Sequence, residues 1–176
     1  MRKLKLDELN RLSINEFKEA DKTPFIVVLD NIRSAYNVGS IFRTCDALAI
    51  EEIILTGITA KPPHKEISKS AIGATNSVAW RYEADIVSCI RELKDKGHLI
   101  IGIEQTNESI SLNDYQFEGG PLKKYVIIFG NEVEGLNAEL LPLLDDCIEI
   151  PQYGTKHSFN VSVCAGIVLW ALRDLL

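Results

Sequence analysis

Short, nearly continuous apolar runs recur along the chain and are separated by longer segments of mixed polarity. Runs of this kind are typical of strands that are buried on both faces of a parallel sheet. Six of them are predicted to be strands, and they are Phe25–Leu29, Glu52–Leu55, Val78–Arg81, Leu99–Ile103, Tyr125–Phe129 and Cys147–Ile150. Because helical segments alternate with these strands, the pattern predicts one α/β domain built on a six-stranded parallel sheet.

The mixed segments predict helices where their apolar residues recur at helical spacing. These are an amphipathic helix from about Asp7, a helix ending near Leu48, the one-sided helix Asp85–Lys96, and the short helices Glu66–Gly73 and Ala138–Leu144. The segment Ile110–Gly120 is predicted to be irregular surface structure. Because Thr23-Pro24 breaks the first helical pattern, residues 1–23 are expected to form a helical arm in front of a domain spanning residues 24–176.

The last predicted helix runs from Val161 to the end of the chain and has no polar stripe. Charge appears only at Arg173 and Asp174. A helix that is apolar all round has to be covered all round. With about fifteen residues it is too short to cross a bilayer, so we expect it to be threaded through the core or sandwiched between two chains.

Composition excludes several classes of protein. The chain has 176 residues, 46% of them hydrophobic, and this fits one soluble domain with a substantial core. It contains neither an apolar run long enough for a transmembrane span nor the apolar segment of a signal peptide, so a cytoplasmic location is expected. The four cysteines form no CxxC pair, and they are interpreted as reduced core thiols without a metal site.

Candidate chemistry lies where predicted strands end. Ligands of open parallel sheets bind beyond the carboxyl ends of the strands. Four such ends carry unusual polar residues, and they are Asn31–Arg43, Glu104–Thr106, Gly130–Leu136 and Pro151–Asn160. These four segments are predicted to converge on one crevice.

Plainer interpretations stay open for individual residues in these segments. Asn37 fits a helix N-cap and Arg43 a surface charge, while Gly130 fits a turn glycine. His157 fits a structural or positioning role better than a catalytic one. The chain has no GxGxxG, GxxxxGK[ST], GxSxG or HExxH motif, which argues against a dinucleotide fold, a P-loop, a serine hydrolase and a zinc protease. The residues alone therefore indicate a nucleotide-like ligand in a crevice.

Three stretches resemble the three motifs of the SpoU (TrmH-type) RNA ribose methyltransferases of the SPOUT superfamily. The first lies within Asn31–Ala47 and has the core Asn37-x-Gly39-x-x-x-Arg43. The second is Phe129-Gly130-Asn131-Glu132-x-x-Gly135-Leu136. The third is Ile150-Pro151-x-x-Gly154-x-x-x-Ser158-x-Asn160-Val161-Ser162-Val163. The resemblance extends from about Pro24 to the C-terminus, and all three motifs occur in the family's order.

This resemblance implies a fold that periodicity does not suggest. Members of the family tie the C-terminal part of their parallel sheet into a deep trefoil knot, although chains avoid knots almost without exception. A helix drawn through a loop needs an apolar surface on every side, as the last helix has. The family also pairs this helix in a homodimer and builds its site at the subunit interface.

The resemblance further implies S-adenosylmethionine as the cofactor and a ribose 2′-hydroxyl of tRNA or rRNA as the acceptor. The residues that match cofactor contacts are Gly130, Ile150, Ser158, Phe159, Gln105 and Thr106. The residues that match the catalytic set are Arg43, Asn37, Glu132, Ser158 and Asn160. Arg43 is interpreted as a phosphate clamp that stabilises the developing alkoxide, with a role as the base left open, since arginine stays protonated.

RNA binding has to come from local clusters, because the net charge is −6. One basic cluster consists of Arg2, Lys3 and Lys5, and another of Lys61, Lys65 and Lys69. Either cluster fits phosphate contacts or a solvated surface. The alternative to an enzyme is a SPOUT-fold RNA-binding protein without methyltransferase activity, but the presence of Arg43 and the polar set around Asn160 favours the enzyme.

Overall fold

Seven parallel strands form one sheet in a computed structural model that describes residues 1–117 and 123–176. The strands are β1 (Thr23–Asp30), β2 (Ile50–Thr56), β3 (Ala79–Glu83), β4 (Leu99–Ile103), β5 (Ile110–Ser111), β6 (Tyr125–Phe129) and β7 (Asp146–Glu149). Their order across the sheet is β3-β2-β1-β6-β4-β7-β5. The α/β class is confirmed, and the predicted count of six strands is wrong.

The additional strand lies in the segment that we expected to be irregular. Ile110 and Ser111 pair with Ile148 and Glu149 of β7, and the chain behind them turns inward, burying Leu112 and Tyr115. A two-residue strand is too short to show a period of two, so the sequence carries no pattern that identifies it. Residues 118–120 of that expected segment lie outside the described residues.

The described residues form five α-helices, and they are α1 (Ile14–Glu19), α2 (Ala35–Ala47), α3 (Lys65–Ala71), α4 (Ile86–Asp95) and α5 (Val161–Asp174). Helices α2, α3 and α4 lie between strands, whereas α1 precedes β1 and α5 follows β7. Three 3₁₀ segments accompany them in the described part of the chain, at Leu6–Leu9, Ala74–Asn76 and Ala138–Leu143. The single helix expected from Asp7 is thus wrong. Asn10 adopts a left-handed conformation after the first 3₁₀ segment, and Ser13 starts α1 with a capping box to Glu16.

The helices cover the two faces of the sheet unequally. On one face α2, α3 and α5 pack over the larger core, which includes Val27 and Leu29 of β1. On the other face α4 and the segment Ala138–Leu143 pack over Ile26 and Val28. Because consecutive strand residues point to opposite faces, both faces need apolar residues, which explains the continuous apolar run in β1.

Helix α5 is only partly covered within one chain. Ala165, Val168, Leu169 and Leu172 are buried against the core. On the opposite side Val163, Ile167 and Trp170 expose 51%, 37% and 64% of their surface. The expected coverage on every side is therefore not achieved by the single chain. Within the described residues, no helix has both the length and the apolar character needed to span a membrane.

The sheet order brings the polar strand ends together. The neighbouring strands β1, β6, β4 and β7 run parallel, so their carboxyl ends lie along one edge. The loops that leave this edge are the four segments that we predicted to converge, and their carboxyl-end position is the one at which open sheets bind ligands.

Candidate functional site

A cavity of about 360 Å³ opens at this edge, beyond the ends of β4, β6 and β7. Its floor is apolar and includes Ile103, Phe129 and Ile148, while polar side chains from the three loops surround it. The predicted cofactor residues that line the cavity are Gln105, Gly130, Ile150, Ser158 and Phe159. Thr106 does not line it, and its hydroxyl accepts a hydrogen bond from the Glu108 N–H in the following turn.

Glu132 ties the second motif to the first. Its carboxylate accepts hydrogen bonds from the backbone N–H groups of Arg33 and Ser34, at 2.9 and 3.1 Å. It also accepts one from the Asn37 side-chain amide at 3.1 Å. Burial by itself raises the pKa of Glu132, but the hydrogen bonds to the ionised form outweigh it and leave the pKa lowered. The carboxylate is therefore held charged at the mouth of the cavity.

Asn37 and Asn160 join the third motif to this network. The Asn160 amide donates to Asn37 Oδ1 at 3.2 Å, and Ser162 Oγ lies 3.5 Å from the same oxygen. Asn160 is also the N-cap of α5, where its Oδ1 accepts from the N–H groups of Ser162 and Val163. The three predicted residues Asn37, Glu132 and Asn160 thus form one hydrogen-bonded chain, while Asn37 itself lies inside α2 rather than capping it.

Gly130 is needed because the loop of the second motif folds back against it. A Cβ at Gly130 would lie 2.3 Å from the carbonyl carbon of Gly135 and 2.4 Å from the backbone nitrogen of Leu136. Asn131 and Gly135 exchange two backbone hydrogen bonds where the loop closes, and Gly135 has a φ of +72°. Glycine at 130 therefore serves the folding of the loop itself, which is closed before any ligand binds.

Glu104 belongs to the cavity, although our sequence reasoning assigned it no role. Its carboxylate lines the cavity and accepts hydrogen bonds from the N–H groups of Gln105, at 2.7 Å, and Leu136, at 3.1 Å. It thereby connects the end of β4 to the second motif. The Glu104–Thr106 segment had been singled out by its position after a strand, but no residue pattern distinguishes a carboxylate that caps a distant loop.

The loop of residues 151–160 forms the outer wall of the cavity and is largely exposed. Gln105 Nε2 donates to the carbonyl oxygen of His157 at 2.7 Å, and Gln152 Nε2 does so at 3.3 Å. The His157 side chain and Ser158 line the cavity and are exposed. The backbone carbonyl of His157 is thus held by two glutamines, while the positioning role of its side chain stays a prediction.

Arg43 lies outside the cavity of its own chain. It projects from the solvent face of α2, and the structure shows no hydrogen bond or ion pair for it among the described residues. Tyr36, two helical turns earlier, is exposed on the same face. Of the predicted catalytic residues, Glu132 and Ser158 line the cavity, and Asn37 and Asn160 are linked to Glu132 through hydrogen bonds, while Arg43 lies apart.

The cavity is acidic. Glu104, Glu132 and Glu149 all line it. Cys164 also lines it, and burial followed by the charge of Glu104 raises the pKa of this thiol to about 11, so it stays protonated at neutral pH. Among the described residues no group of side chains has the composition and spacing of a metal site. The donor set suits a small organic ligand that carries positive charge.

Comparison with known sequences matches residues 24–170 to the model of the SpoU rRNA Methylase family. A 23S rRNA (guanosine-2′-O-)-methyltransferase RlmB from Vibrio parahaemolyticus is 31% identical over 171 residues, which are 96% of this chain and 67% of that protein. A tRNA (guanosine(18)-2′-O)-methyltransferase from Saccharomyces cerevisiae is 32% identical over 151 residues, 84% of this chain and 10% of that protein. The chain thus spans about a tenth of the yeast relative.

Solved structures agree with the sequence comparison. The A. aeolicus TrmH/SpoU tRNA modifying enzyme superimposes with a TM-score of 0.79 at 26% identity, covering 92% of this chain and 81% of that one. An AdoMet-bound rRNA methyltransferase from Sinorhizobium meliloti gives a TM-score of 0.79 at 28% identity, covering 91% of this chain and 60% of that one. Over the covered parts, the chain therefore shares its fold with both structures.

Proposed function

The chain belongs to the SpoU rRNA methylase family, and from that premise we propose that it transfers a methyl group from S-adenosylmethionine to a ribose 2′-hydroxyl of tRNA or rRNA. The observation that carries the proposal is the cavity together with the hydrogen-bonded chain Glu132–Asn37–Asn160, which begins at Glu132 in the cavity lining. All three family motifs contribute to that one site. The names of the relatives, which act on guanosines of tRNA and of 23S rRNA, support the acceptor class.

The cavity fits the cofactor in size and in charge. Its volume of about 360 Å³ falls in the range of small-molecule sites, and its floor is apolar where an adenine ring needs dispersion contacts. S-adenosylmethionine supplies a methyl group on a positively charged sulfonium. The carboxylates of Glu104, Glu132 and Glu149 give the cavity the opposite sign. We assign cofactor binding to Gly130, Ile150, Ser158, Phe159 and Gln105 in its wall, and leave Thr106 as a support of the turn.

The chain's own residues then organise the acceptor side. Glu132 holds the N-terminal end of α2 through Arg33 and Ser34, and it orients Asn37. Asn37 in turn receives the Asn160 amide, so that the position of the third motif is coupled to that of the first. Ser158 is exposed at the mouth, where its hydroxyl can donate to or accept from a ribose. These fixed groups would supply alignment, which accounts for a large part of the barrier in reactions of two bound partners.

Arg43 would act on the acceptor as a permanent positive charge. A guanidinium keeps its protons at any physiological pH, so it serves best as a phosphate clamp and as a stabiliser of the alkoxide that forms when the 2′-hydroxyl loses its proton. In its own chain it faces solvent away from the cavity. We therefore assign it to a site that is completed across two chains.

A homodimer supplies that second chain. Val163, Ile167 and Trp170 form an exposed apolar stripe along α5, the next helix to α2 on the same face of the sheet. A second copy that packs on this stripe would cover the helix and bring one chain's α2 close to the other chain's loop of residues 151–160. Light scattering of the purified protein is expected to give the mass of a dimer, and Trp170→Glu is expected to give a monomer.

We also infer that the C-terminal part of the chain forms a trefoil knot, as the resemblance implies. The placement of β6 between β1 and β4, with α5 returning to pack against α2, supports it. A knot persists in the unfolded chain when both ends are held. Mechanical unfolding by the two termini is therefore expected to give a contour shorter than the full 176 residues at about 3.5 Å each.

The remaining assignments concern the arm and the compartment. The family match starts at residue 24, which supports residues 1–23 as an arm outside a methyltransferase domain of residues 24–176, although β1 itself begins at Thr23. All four cysteines are free thiols, which supports a location in the reducing cytoplasm.

The decisive experiment measures methyl transfer directly. Purified protein is incubated with labelled S-adenosylmethionine and with RNA from cells that lack the gene, and 2′-O-methyl nucleotides are mapped. A new 2′-O-methyl group at a defined nucleotide is the expected result. Thermal stabilisation by S-adenosylhomocysteine but not by NAD is expected alongside it. RNA binding without any methyl transfer would instead establish the alternative, a binding protein on this fold.

A further inference from the structure

A second concave surface lies beside α3, on the same face of the sheet as α2. This groove, which we call the Trp80 groove, is lined by Pro62, Pro63, Ser68, Gly73, Thr75, Asn76 and Trp80, and it has a volume of about 530 Å³. Trp80 is half-buried in it, and its ring meets Phe42 edge to face at 6.4 Å. The groove thus offers an aromatic side chain held by the core together with hydroxyl and amide groups.

Three lysines flank the lining residues of the groove, whereas the chain as a whole carries a net charge of −6. Lys61 precedes the two prolines, and Lys65 and Lys69 lie on α3, on either side of Ser68. All three lysines are exposed. Lys69 is paired with Glu66 at 2.8 Å and Lys61 lies 3.9 Å from the Tyr82 ring, but for Lys65 the structure shows no partner among the described residues.

The groove is connected to the proposed active site through the packing of α3 on α2. Ser70 of α3 donates a hydrogen bond to the carbonyl oxygen of Tyr36 at 2.8 Å, and a Cβ at Gly39 would lie 2.2 Å from Ser70 Oγ. Helix α3 therefore packs directly on α2, the helix of Asn37 and Arg43. Since β3 is three strands from β6, the nearest strand of the cavity, the groove lies roughly 15 Å from the cavity across the sheet.

We propose that the Trp80 groove binds a single-stranded nucleotide of the substrate RNA, with a base stacked on Trp80 and its phosphates on Lys65 and neighbouring lysines. Aromatic rings that stack on bases beside a basic rim are the usual means of binding single-stranded nucleic acid. Hydroxyl and amide groups such as those of Thr75 and Asn76 suit the edges of an unpaired base. This proposal rests on the proposed function, since it takes the RNA substrate from it.

The stacking contact is tested on the intact protein labelled with 5-fluorotryptophan. The chain has two tryptophans, so fluorine NMR gives two resonances, and Trp80→Phe assigns them. Titration with a short unpaired oligoribonucleotide is expected to shift the Trp80 resonance and leave that of Trp170 in place. A Trp80 resonance that does not move at saturating RNA overturns the proposal.

The phosphate contact is tested by a matched pair of charge reversals. Lys65→Glu lies on the rim, while Lys96→Glu lies at the end of α4, on the opposite face of the sheet. We expect Lys65→Glu to raise the KM for RNA about tenfold with kcat and affinity for S-adenosylhomocysteine unchanged, and Lys96→Glu to leave all three unchanged. Lys65→Gln is expected to lower the slope of log affinity against log salt by about one.

These outcomes separate the two proposals. If the wild-type protein neither methylates RNA nor binds S-adenosylhomocysteine, the proposed function falls and the groove loses its ligand. If the wild-type protein methylates RNA while Lys65→Glu keeps the same KM as Lys96→Glu, the function stands and the groove is excluded from RNA binding.

Discussion

The two loops that face each other across the cavity differ in how far the chain itself satisfies their polar groups. In the loop Gly130–Leu136, Asn131 donates to the carbonyl of Asn31 at 2.7 Å and accepts from the N–H groups of Val133 and Glu134. Glu104 accepts from Leu136. In the loop of residues 151–160, most side chains face solvent, and Tyr153 exposes 92% of its surface.

This difference indicates that one wall of the cavity is built in advance and the other is completed by what binds. A loop whose polar groups are already hydrogen-bonded within the chain keeps its shape without a ligand, so little conformational entropy is lost on binding. An exposed loop with few bonds opens at low cost and gains its contacts from cofactor, RNA or a second chain. The outer wall is therefore the expected route of entry.

The largest effect is expected from Arg43→Ala, which should lower the rate of methyl transfer without changing either wall of the cavity. Arg43 touches neither loop within its chain, so the cavity and its affinity for S-adenosylhomocysteine should be unchanged. Loss of one charge that stabilises the transition state typically lowers kcat by about 10²–10³. Single-turnover methyl transfer at saturating cofactor measures the effect.

Arg91→Ala is the matched control, since Arg91 is an exposed arginine of α4 on the other face of the sheet. It should retain wild-type kcat. Near-normal turnover of Arg43→Ala would remove Arg43 from the mechanism, while loss of cofactor binding would show that it supports the cavity.

Substitution of Glu104 should loosen the pre-built wall. In Glu104→Ala the N–H groups of Gln105 and Leu136 lose their acceptor, so we expect about tenfold weaker S-adenosylhomocysteine binding by calorimetry. With cofactor in excess, kcat should stay close to wild type. Glu104→Gln keeps one acceptor oxygen and should recover part of the affinity, while Glu108→Ala, in the exposed turn that follows, should change nothing. A lowered kcat at saturating cofactor would instead place Glu104 in the chemistry.

Glu132 should make the stability of the same wall depend on pH. Because its folded-state pKa is lowered, its stabilising contribution is present above the ordinary value of 4.5 and is lost as the pH falls through the lowered pKa. Glu132→Gln should therefore melt several degrees below wild type at neutral pH, for a loss of about 1–2 kcal/mol. The difference in melting temperature between wild type and Glu132→Gln should narrow below pH 4.5. A difference that stays constant from neutral pH to below this value would show that the charge of Glu132 does not hold the wall.

Much of the fold was predictable because the strands are buried on both faces. The ranges Leu99–Ile103 and Tyr125–Phe129 were predicted to the residue, since a central parallel strand is a continuous apolar run. The edge strand β5 and the break at Asn10 were not, because a two-residue strand and a single left-handed residue leave no period in the sequence.

The site was predictable to the extent that its residues occur in motifs. Asn37, Glu132 and Asn160 lie within three family patterns, and the structure joins them by hydrogen bonds. Glu104 lies in no motif and acts through the backbone of a loop 32 positions away, so its role depends on tertiary structure alone. Arg43 is the reverse case. It lies within a clear motif, but the single chain does not bring it to the cavity.

The smallest effect is expected where the outer wall has its few bonds. Gln105→Ala removes the 2.7 Å hydrogen bond to the His157 carbonyl, and since the residue is exposed, the loss should be about 0.5–1 kcal/mol, a several-fold weaker affinity for S-adenosylhomocysteine. Gln152→Ala removes a longer bond of 3.3 Å to the same oxygen and should cost less. The double variant should lose more than the sum, because each glutamine alone still restrains the carbonyl. Hydrogen exchange of residues 151–160 in the free protein should rise in the same order and return towards wild type with ligand bound. Equal exchange in all variants would mean that these two hydrogen bonds do not restrain the outer wall in the free protein, and that its order comes entirely from what binds.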